Sequence, residues 1–295
     1  MIPKRIFYFW GEGTQISWMR YMTLKSCRVL NPNWEIILYT SKCNVKKKTW
    51  SDAVQQDFFE YGGEDYFSKV KDLGIEIRDW DILNKKFPDM AASHKSNFFK
   101  WYTLTVEGGI YADMDILWMK PLDYFYNNML GSDAAICYDW YLSIGLLASK
   151  PQNSFFSAVY DNGMHTYTPA RYQCAGVENV YNWIYGDKIW VDTKVEIREP
   201  NWSWILSNDI LGDIRKKCPT IQFYNIPMKL VYPFPHNMMP YVFAYDIPFE
   251  NFGEETIGIH WYAGCPMSQQ YNKLLNEDTL SDYHNTFRNI AERVL

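Results

Sequence analysis

Two aspartates separated by one residue, Asp113 and Asp115, are the side chains of this sequence best suited by type and spacing to carry chemistry. They end residues 108–115, where two glycines precede a short apolar run. On a β-strand both carboxylates would point to one face, together with Tyr111. Such close carboxylates repel each other unless a cation lies between them. Mg²⁺ and Mn²⁺ bind carboxylates and phosphates, so the pair predicts a metal–diphosphate site, with a solvated strand end as the alternative.

Two further polar residues, Asn97 and Lys100, precede the acidic pair at i, i+3 spacing. The segment 94–107 is predicted to be a helix that Ser93 caps and that Gly108 and Gly109 end, so the two side chains share a face. An amide and an ammonium there would hold sugar hydroxyls and offset phosphate charge. An ordinary polar helix face is the alternative.

The elements that must position these residues follow from apolar patterning. Continuous apolar runs predict buried strands at 6–10 and 34–39, and Ser17 can cap a helix over 18–30 that Asn31-Pro32 ends. This β-α-β opening predicts a parallel sheet. Other predicted strands are 74–78, 134–138, 144–148 and 256–261. Helices are predicted within 51–73 and over 153–166, and residues 269–295 are predicted to form a closing amphipathic helix.

Composition limits the class of protein. The 295 residues are 47% hydrophobic and 21% charged, which indicates a globular chain. A net charge of −5 argues against general nucleic-acid binding. The sequence contains no run of about 18 apolar residues, so no transmembrane helix is expected. The N-terminus, which begins with Met1-Ile2-Pro3-Lys4-Arg5, lacks the apolar region of a signal peptide. Six scattered cysteines form no metal or disulfide pattern, so we expect a cytoplasmic protein with free thiols.

Four blocks in fixed order resemble a known enzyme family. They are Ile2-Pro3-Lys4-Arg5-Ile6 leading to Phe9-Trp10, then Ser96-Asn97-x-x-Lys100, residues 108–115, and His260-Trp261. This order resembles glycosyltransferase family 32, whose sugar-binding region contains an Asp-x-Asp motif, and more distantly the clostridial glucosylating toxins. The resemblance implies an α/β, GT-A-like fold with a mainly parallel nucleotide-binding sheet. It also implies a retaining transfer from a UDP- or GDP-linked sugar to a glycan or other hydroxyl acceptor, with Mn²⁺ or Mg²⁺.

Site residues follow from the same resemblance. Asp115 and Asp113 would hold the metal and the donor diphosphate, and Tyr111 would line the donor site beside Lys100 and Asn97. Phe9, Trp10 and Gly11 would bind base and ribose. His260 would be a third metal ligand or a diphosphate contact, unless it is a structural histidine. Asp139 and Trp261 are acceptor-side candidates, although an ordinary loop aspartate is the alternative for Asp139.

Two residues depart from the family pattern. The family helix reads Ser-Asp-x-x-Arg, whereas Asn97 and Lys100 stand at the Asp and Arg positions here. Asparagine carries no charge, and lysine lacks the bidentate fork of arginine. The donor sugar is therefore left open.

Domain organisation and rival functions complete these expectations. We expect a single domain, with a donor-binding half at 1–125 and an acceptor-binding, closing half at 126–295. The alternatives to transfer are hydrolysis of a sugar nucleotide at the same site and a non-catalytic carbohydrate-binding protein. A carbohydrate-binding protein would have no need of the acidic pair.

Overall fold

The computed structural model describes residues 1–44, 50, 61–191 and 198–295. The predicted loop at Lys46-Lys47-Lys48 and part of the predicted helical segment 51–73 lie outside these residues. The strands are β1 (Arg5–Glu12), β2 (Glu35–Lys42), β3 (Glu76–Asp79), β4 (Gly109–Ala112), β5 (Ile116–Trp118), β6 (Ala134–Tyr138), β7 (Leu142–Ser149), β8 (Phe223–Asn225) and β9 (Gly258–His260).

The described residues also form eleven α-helices. They are α1 (Trp18–Leu30), α2 (Phe67–Asp72), α3 (Ala92–Val106), α4 (Asp123–Asn128), α5 (Ser154–Thr166), α6 (Val177–Tyr185), α7 (Trp202–Leu206), α8 (Ile210–Lys217), α9 (Pro240–Phe243), α10 (Pro266–Leu274) and α11 (Thr286–Ala291). Within the described ranges no helix is both long and apolar enough to span a bilayer.

A seven-stranded sheet in the order β3-β2-β1-β4-β7-β6-β8 forms the centre of the fold. Strands β3, β2, β1 and β4 are parallel, β7 runs antiparallel to both β4 and β6, and β8 is parallel to β6. The predicted α/β class with a mainly parallel sheet is confirmed. Strands from both predicted halves, 1–125 and 126–295, join this sheet, and the single domain stays a prediction.

Both faces of the sheet are buried, which explains the continuous apolar runs. Alternate residues of β1 separate to opposite sides: Ile6 and Tyr8 pack into the cluster that contains α1, whereas Phe7 and Phe9 pack with α3. A parallel strand covered on both sides has no polar face to show in sequence.

The acidic pair lies where the chain crosses from the large sheet to a second, two-stranded sheet. Strand β4 ends at Ala112, and β5 begins at Ile116 and pairs antiparallel with β9. Asp113 and Asp115 therefore lie in a turn between two sheets, directly after the end of β4, which is the strand end where the sequence places the pair.

The predicted ends of helices α1 and α3 are confirmed, with one exception. Ser17 caps α1 by accepting from the Arg20 N–H at 3.4 Å. Gly108 and Gly109 end α3 with φ values of +64° and +122°, where a side chain would be strained. The predicted cap Ser93 is wrong, because α3 begins at Ala92 and Ala91 holds the N-cap position without a side-chain bond.

The closing segment is not the single amphipathic helix predicted over 269–295. It forms the end of α10 and the whole of α11, and residues 275–285 between these helices contain a short 3-10 helix at Leu280–Asp282. The Asn276 side chain accepts from the N–H groups of Asp278 and Thr279 at 2.9 and 3.0 Å, which supplies an alternative to helical hydrogen bonds. Most of the apolar residues of this segment are buried, although Leu274 is exposed, and the local asparagine turn divides the apolar face.

Candidate active site

Backbone hydrogen bonds from two directions fix the acidic pair. The Asp113 N–H donates to the carbonyl of Gly145 on β7 at 2.8 Å. The Asp115 carbonyl accepts from the Trp261 N–H at 2.8 Å, and its carboxylate accepts from the Ala263 N–H at 2.8 Å. The turn is therefore held between β7 and the loop that follows β9.

Strand pairing places His260 beside the two carboxylates. His260 lies opposite Ile116 in the β5–β9 pair, and its Nε2 is 3.1 Å from Asp115 Oδ1 and 3.7 Å from Asp113 Oδ2. Burial would lower the pKa of His260, but the charge of Asp115 and the bonds to both carboxylates raise that pKa to about 9. Its Nδ1 lies 3.3 Å from the Tyr262 backbone nitrogen, so Nε2 faces the acids.

Lys100 reaches the pair from the opposite side. Its ammonium, only 2% exposed, lies 3.3 Å from Asp113 Oδ1 and 3.2 Å from the carbonyl of Ile144. It also lies 4.4 Å from the centre of the Tyr111 ring. Burial lowers the pKa of Lys100, and the charge of Asp113 opposes that shift. The predicted helix face thus delivers a buried cation to the first aspartate.

Tyr111 adds a neutral donor to the same carboxylate. Its hydroxyl donates to Asp113 Oδ1 at 2.7 Å and shares a hydrogen bond with Ser96 Oγ at 2.9 Å. Burial would raise the pKa of Asp113, but the charges and hydrogen bonds of Lys100, His260 and Tyr111 hold it well below its usual range. The site therefore keeps Asp113 ionised without a metal.

A cleft of about 660 Å³ opens over these groups. Nine predicted site residues line it: Phe9, Trp10, Gly11, Asn97, Lys100, Tyr111, Asp113, Asp115 and His260. The two acceptor-side candidates do not. Asp139 is exposed in the turn between β6 and β7, where Trp140 and Tyr141 line the cleft instead. Trp261 has no exposed surface and packs in the core, which removes it as an acceptor contact.

Other cleft residues carry no motif and were missed. Arg20 lines the cleft from α1, Gly145 from β7 and Tyr232 from the segment before β9. The Tyr232 hydroxyl is buried and has no hydrogen-bond partner among the described residues. Four further aromatic residues line the cleft and are called the aromatic rim below: Trp140, Tyr141, Tyr172 and Trp202. The sequence signal for these residues is only the high aromatic content.

Gly145 is the position where the site leaves no room for a side chain. A Cβ there would lie 2.6 Å from Asp113 Oδ2, 2.7 Å from Tyr232 Oη and 3.2 Å from His260 Nε2. Glycine on β7 therefore lets three polar groups converge. A single strand pattern could not reveal this, because the groups come from separate parts of the chain.

The donor set fits a divalent cation. Asp113, Asp115 and His260 each offer one ligand atom, and these atoms lie within 4.8 Å of one another. Bonds of about 2.1 Å in octahedral geometry put ligand atoms roughly 3–4 Å apart, so only small adjustments are needed. Nε2 must lose its proton before it can serve as a ligand. The carboxylates match hard cations such as Mg²⁺ and Mn²⁺.

Comparison with known proteins identifies part of the chain. Residues 17–136 match the family model of the glycosyltransferase sugar-binding region containing a DXD motif. The matched segment contains Asn97, Lys100, Asp113 and Asp115, so the predicted resemblance is confirmed there. Over this segment the chain is similar to glycosyltransferases, and the sheet described above is the mainly parallel α/β arrangement that the resemblance implies. No curated protein matches the chain.

Solved structures of glycosyltransferases show low similarity. The PaToxG glycosyltransferase is 14% identical, with 76% of this chain and 81% of that chain covered and a TM-score of 0.45. Apo GlyE from Streptococcus pneumoniae TIGR4 is 12% identical, with 100% and 60% covered and a TM-score of 0.46. The galactosyltransferase LgtC with donor and acceptor sugar analogues is 13% identical, with 94% and 99% covered and a TM-score of 0.41. The chain thus spans 60% of GlyE, and similarity of this size carries no argument about substrates.

Proposed function

We propose that this glycosyltransferase is a metal-dependent, retaining enzyme that moves a sugar from a UDP- or GDP-linked donor to a hydroxyl of a glycan or other acceptor. The observation that carries the proposal is the acidic pair. Asp113 and Asp115 converge with His260 at ligand distance and face the buried Lys100 in one cleft. A site that only binds a sugar has no need of so many charges.

The donor would lie along the cleft with its diphosphate at the acidic turn. We assign base and ribose to residues 9–11 and a sugar hydroxyl to Asn97, since these residues line the cleft on either side of Asp113. Asp113, Asp115 and His260 would hold Mn²⁺ or Mg²⁺. When bound, the cation supplies charge neutralisation for the leaving nucleoside diphosphate.

Lys100 has the clearest role among the chain's own groups. Breaking the glycosidic bond builds negative charge on the diphosphate, and a cation fixed beforehand stabilises that charge without reorganising. The bonds of Lys100 to Asp113 and to the Ile144 carbonyl fix it in this way. We therefore propose that Lys100 contacts the diphosphate.

Retention of configuration rests on the resemblance to glycosyltransferase family 32, and the supply of carboxylates bears on the route by which it would occur. Among the described residues, Asp113 and Asp115 are the only acids that line the cleft, and both belong to the proposed cation site. A double displacement needs another nucleophile, so we propose front-side attack by the acceptor. The anomeric configuration of the product, read by NMR, tests this step, and inversion contradicts it.

The acceptor would enter through the aromatic rim. Trp140 is 57% exposed at the cleft opening and lies 5.8 Å from the Tyr141 ring. Indole faces stack on the apolar faces of sugar rings, which suits a glycan acceptor. Because donor and acceptor groups come from both halves of the chain, we propose that 1–125 and 126–295 act as one domain.

Donor binding with and without Mn²⁺ tests the central claim. Calorimetry with a panel of UDP- and GDP-sugars should show metal-dependent binding to the native chain. The double variant Asp113→Asn, Asp115→Asn should weaken it by more than about 100-fold, since both carboxylate ligands are lost. Asp139→Asn, an exposed aspartate outside the cleft, is the matched control. Metal-dependent affinity that survives the double change refutes the proposal.

Turnover separates transfer from hydrolysis. Nucleotide release that rises when glycans are added indicates transfer. Release that is equal with and without every acceptor assigns the site to a sugar-nucleotide hydrolase instead. Both outcomes leave the donor-binding result unchanged.

A further inference from the structure

Arg20 is a buried cation that the site described so far does not use. It lies in the first turn of α1, its side chain lines the cleft, and the residue is only 9% exposed. The guanidinium lies 4.6 Å from the centre of the Trp10 ring and 5.8 Å from that of Trp261. It is thus held between two indoles at the edge of the cleft.

Among the residues that the structure describes, the guanidinium has no hydrogen-bond partner for its N–H groups. Throughout the described parts of the chain, no side-chain hydrogen bond or ion pair of Arg20 is formed. Asp115 is the acid whose charge acts on it, but the ion pair of Asp115 is with His260. Burial lowers the pKa of Arg20 to about 10 and Asp115 opposes that shift, so the group stays charged at neutral pH.

Stacking between indoles does not explain a buried arginine. Aromatic rings interact with the faces of a guanidinium, but its five N–H donors point outward from the edges. A buried ion without a counter-ion is costly, and an apolar side chain of similar size would pack between Trp10 and Trp261 without that cost. The arrangement is favourable when an anion enters the cleft and accepts from those donors.

We propose that Arg20 is a further binding residue for the diphosphate of the donor, opposite Lys100. The nature of the anion rests on the proposed function. In that site two carboxylates offset the charge of a divalent cation, which leaves Lys100 and Arg20 to face the charges of the diphosphate. The guanidinium fork matches two phosphate oxygens, and the N-terminal end of α1 adds a dipole of the same sign.

The test uses inorganic pyrophosphate, because it carries the diphosphate without base or sugar. Calorimetry with Mg²⁺ compares the native chain with Arg20→Gln and Arg28→Gln. Arg28 lies on the same helix outside the cleft and donates to the carbonyls of Pro32, Trp34 and Gly74. Loss of charge-assisted bonds should weaken pyrophosphate binding to Arg20→Gln by about 10- to 100-fold.

The melting temperatures of the two variants should rank in the opposite order to their affinities for pyrophosphate. Arg20→Gln should keep or raise Tm without ligand, because it removes an unpaired buried charge. Arg28→Gln should lower Tm, because it removes backbone contacts, and should keep the native affinity for pyrophosphate. Should Arg20→Gln not fold, Arg20→Lys keeps the charge but loses the fork and should also bind more weakly.

Three results overturn the inference. The first is a folded Arg20 variant that binds pyrophosphate as tightly as the native chain does, the second is an Arg28→Gln variant that loses as much pyrophosphate affinity as Arg20→Gln, and the third is a native chain that does not bind pyrophosphate. Failure of the proposed function looks different. In that case pyrophosphate binding would depend on Arg20 while no UDP- or GDP-sugar bound or turned over. Conversely, if the native chain turns over sugar nucleotides and Arg20→Gln binds pyrophosphate as tightly as the native chain, only this inference is removed.

Discussion

Substitution of Gly145 by alanine should disable the acidic turn by displacing it without changing its charge. The added Cβ would lie 2.6 Å from Asp113 Oδ2 and 2.7 Å from Tyr232 Oη, well inside van der Waals contact. The other carboxylate oxygen, Asp113 Oδ1, is held by Lys100 and Tyr111. Relief must therefore turn Oδ2 away from His260, which spoils the proposed ligand set.

The size of the effect follows from overpacking. Inserting a methyl group into a filled site costs about 1–3 kcal/mol, which corresponds to roughly 5- to 150-fold in an equilibrium constant. Gly145 does not have a left-handed backbone conformation, so alanine adds no backbone strain. We expect most of this cost to appear as weaker Mn²⁺-dependent donor binding, because the crowded atoms are ligand atoms.

Calorimetry of Mn²⁺ and sugar nucleotide, together with Tm without ligand, checks this prediction. Gly62→Ala is the matched control, since a Cβ at Gly62 meets nothing within 4 Å. That control should bind normally and unfold at an equal or slightly higher temperature. If Gly145→Ala binds metal and donor as tightly as the native chain, the site does not use Asp113 Oδ2 in the way we describe.

Three other substitutions test separate features. Lys100→Met should lower kcat by about 100- to 1,000-fold, because it removes a preorganised cation, and steady-state kinetics with a saturating donor measures this. Tyr232→Phe should keep or slightly raise the free energy of unfolding in urea, since the hydroxyl it removes is buried without a partner among the described residues. Arg171→Met should lower that free energy by about 3–5 kcal/mol, because it removes the bidentate partner of the buried Glu178. The control Arg198→Met, which breaks only the exposed pair with Asp187, should leave the free energy of unfolding nearly unchanged.

The parts of the fold that sequence could predict are those set by neighbouring residues. The helix over 18–30 was found with its Ser17 cap and its end at Asn31, because each signal lies within one turn. The acidic pair was found because both carboxylates lie in one short segment. Ser93 was misjudged as a cap for the same reason, since a serine two residues past the true N-cap, Ala91, carries the same local signal.

Residues whose role depends on distant neighbours were not predictable in this way. Arg20 reads as an ordinary helical cation until Trp10 and Trp261 enclose it. Gly145 reads as a glycine in a strand until Asp113 and His260 converge on it. The predicted acceptor contact Trp261 failed for the same reason, because only the fold shows that His260 lines the cleft while Trp261, directly after β9, packs in the core.

The position of the acidic turn and the charge around it are set by different groups, so separate substitutions can change one without the other. The backbone bonds to Gly145 and Trp261 fix where Asp113 and Asp115 lie. Side chains that do not form the turn, Lys100 and His260, set the charge around it. Changes at those side chains should therefore alter charge while leaving the turn in place, whereas crowding at Gly145 should move a carboxylate at constant charge. A metal site that depended on charge alone would tolerate the second kind of change, but a site that depends on ligand geometry would not.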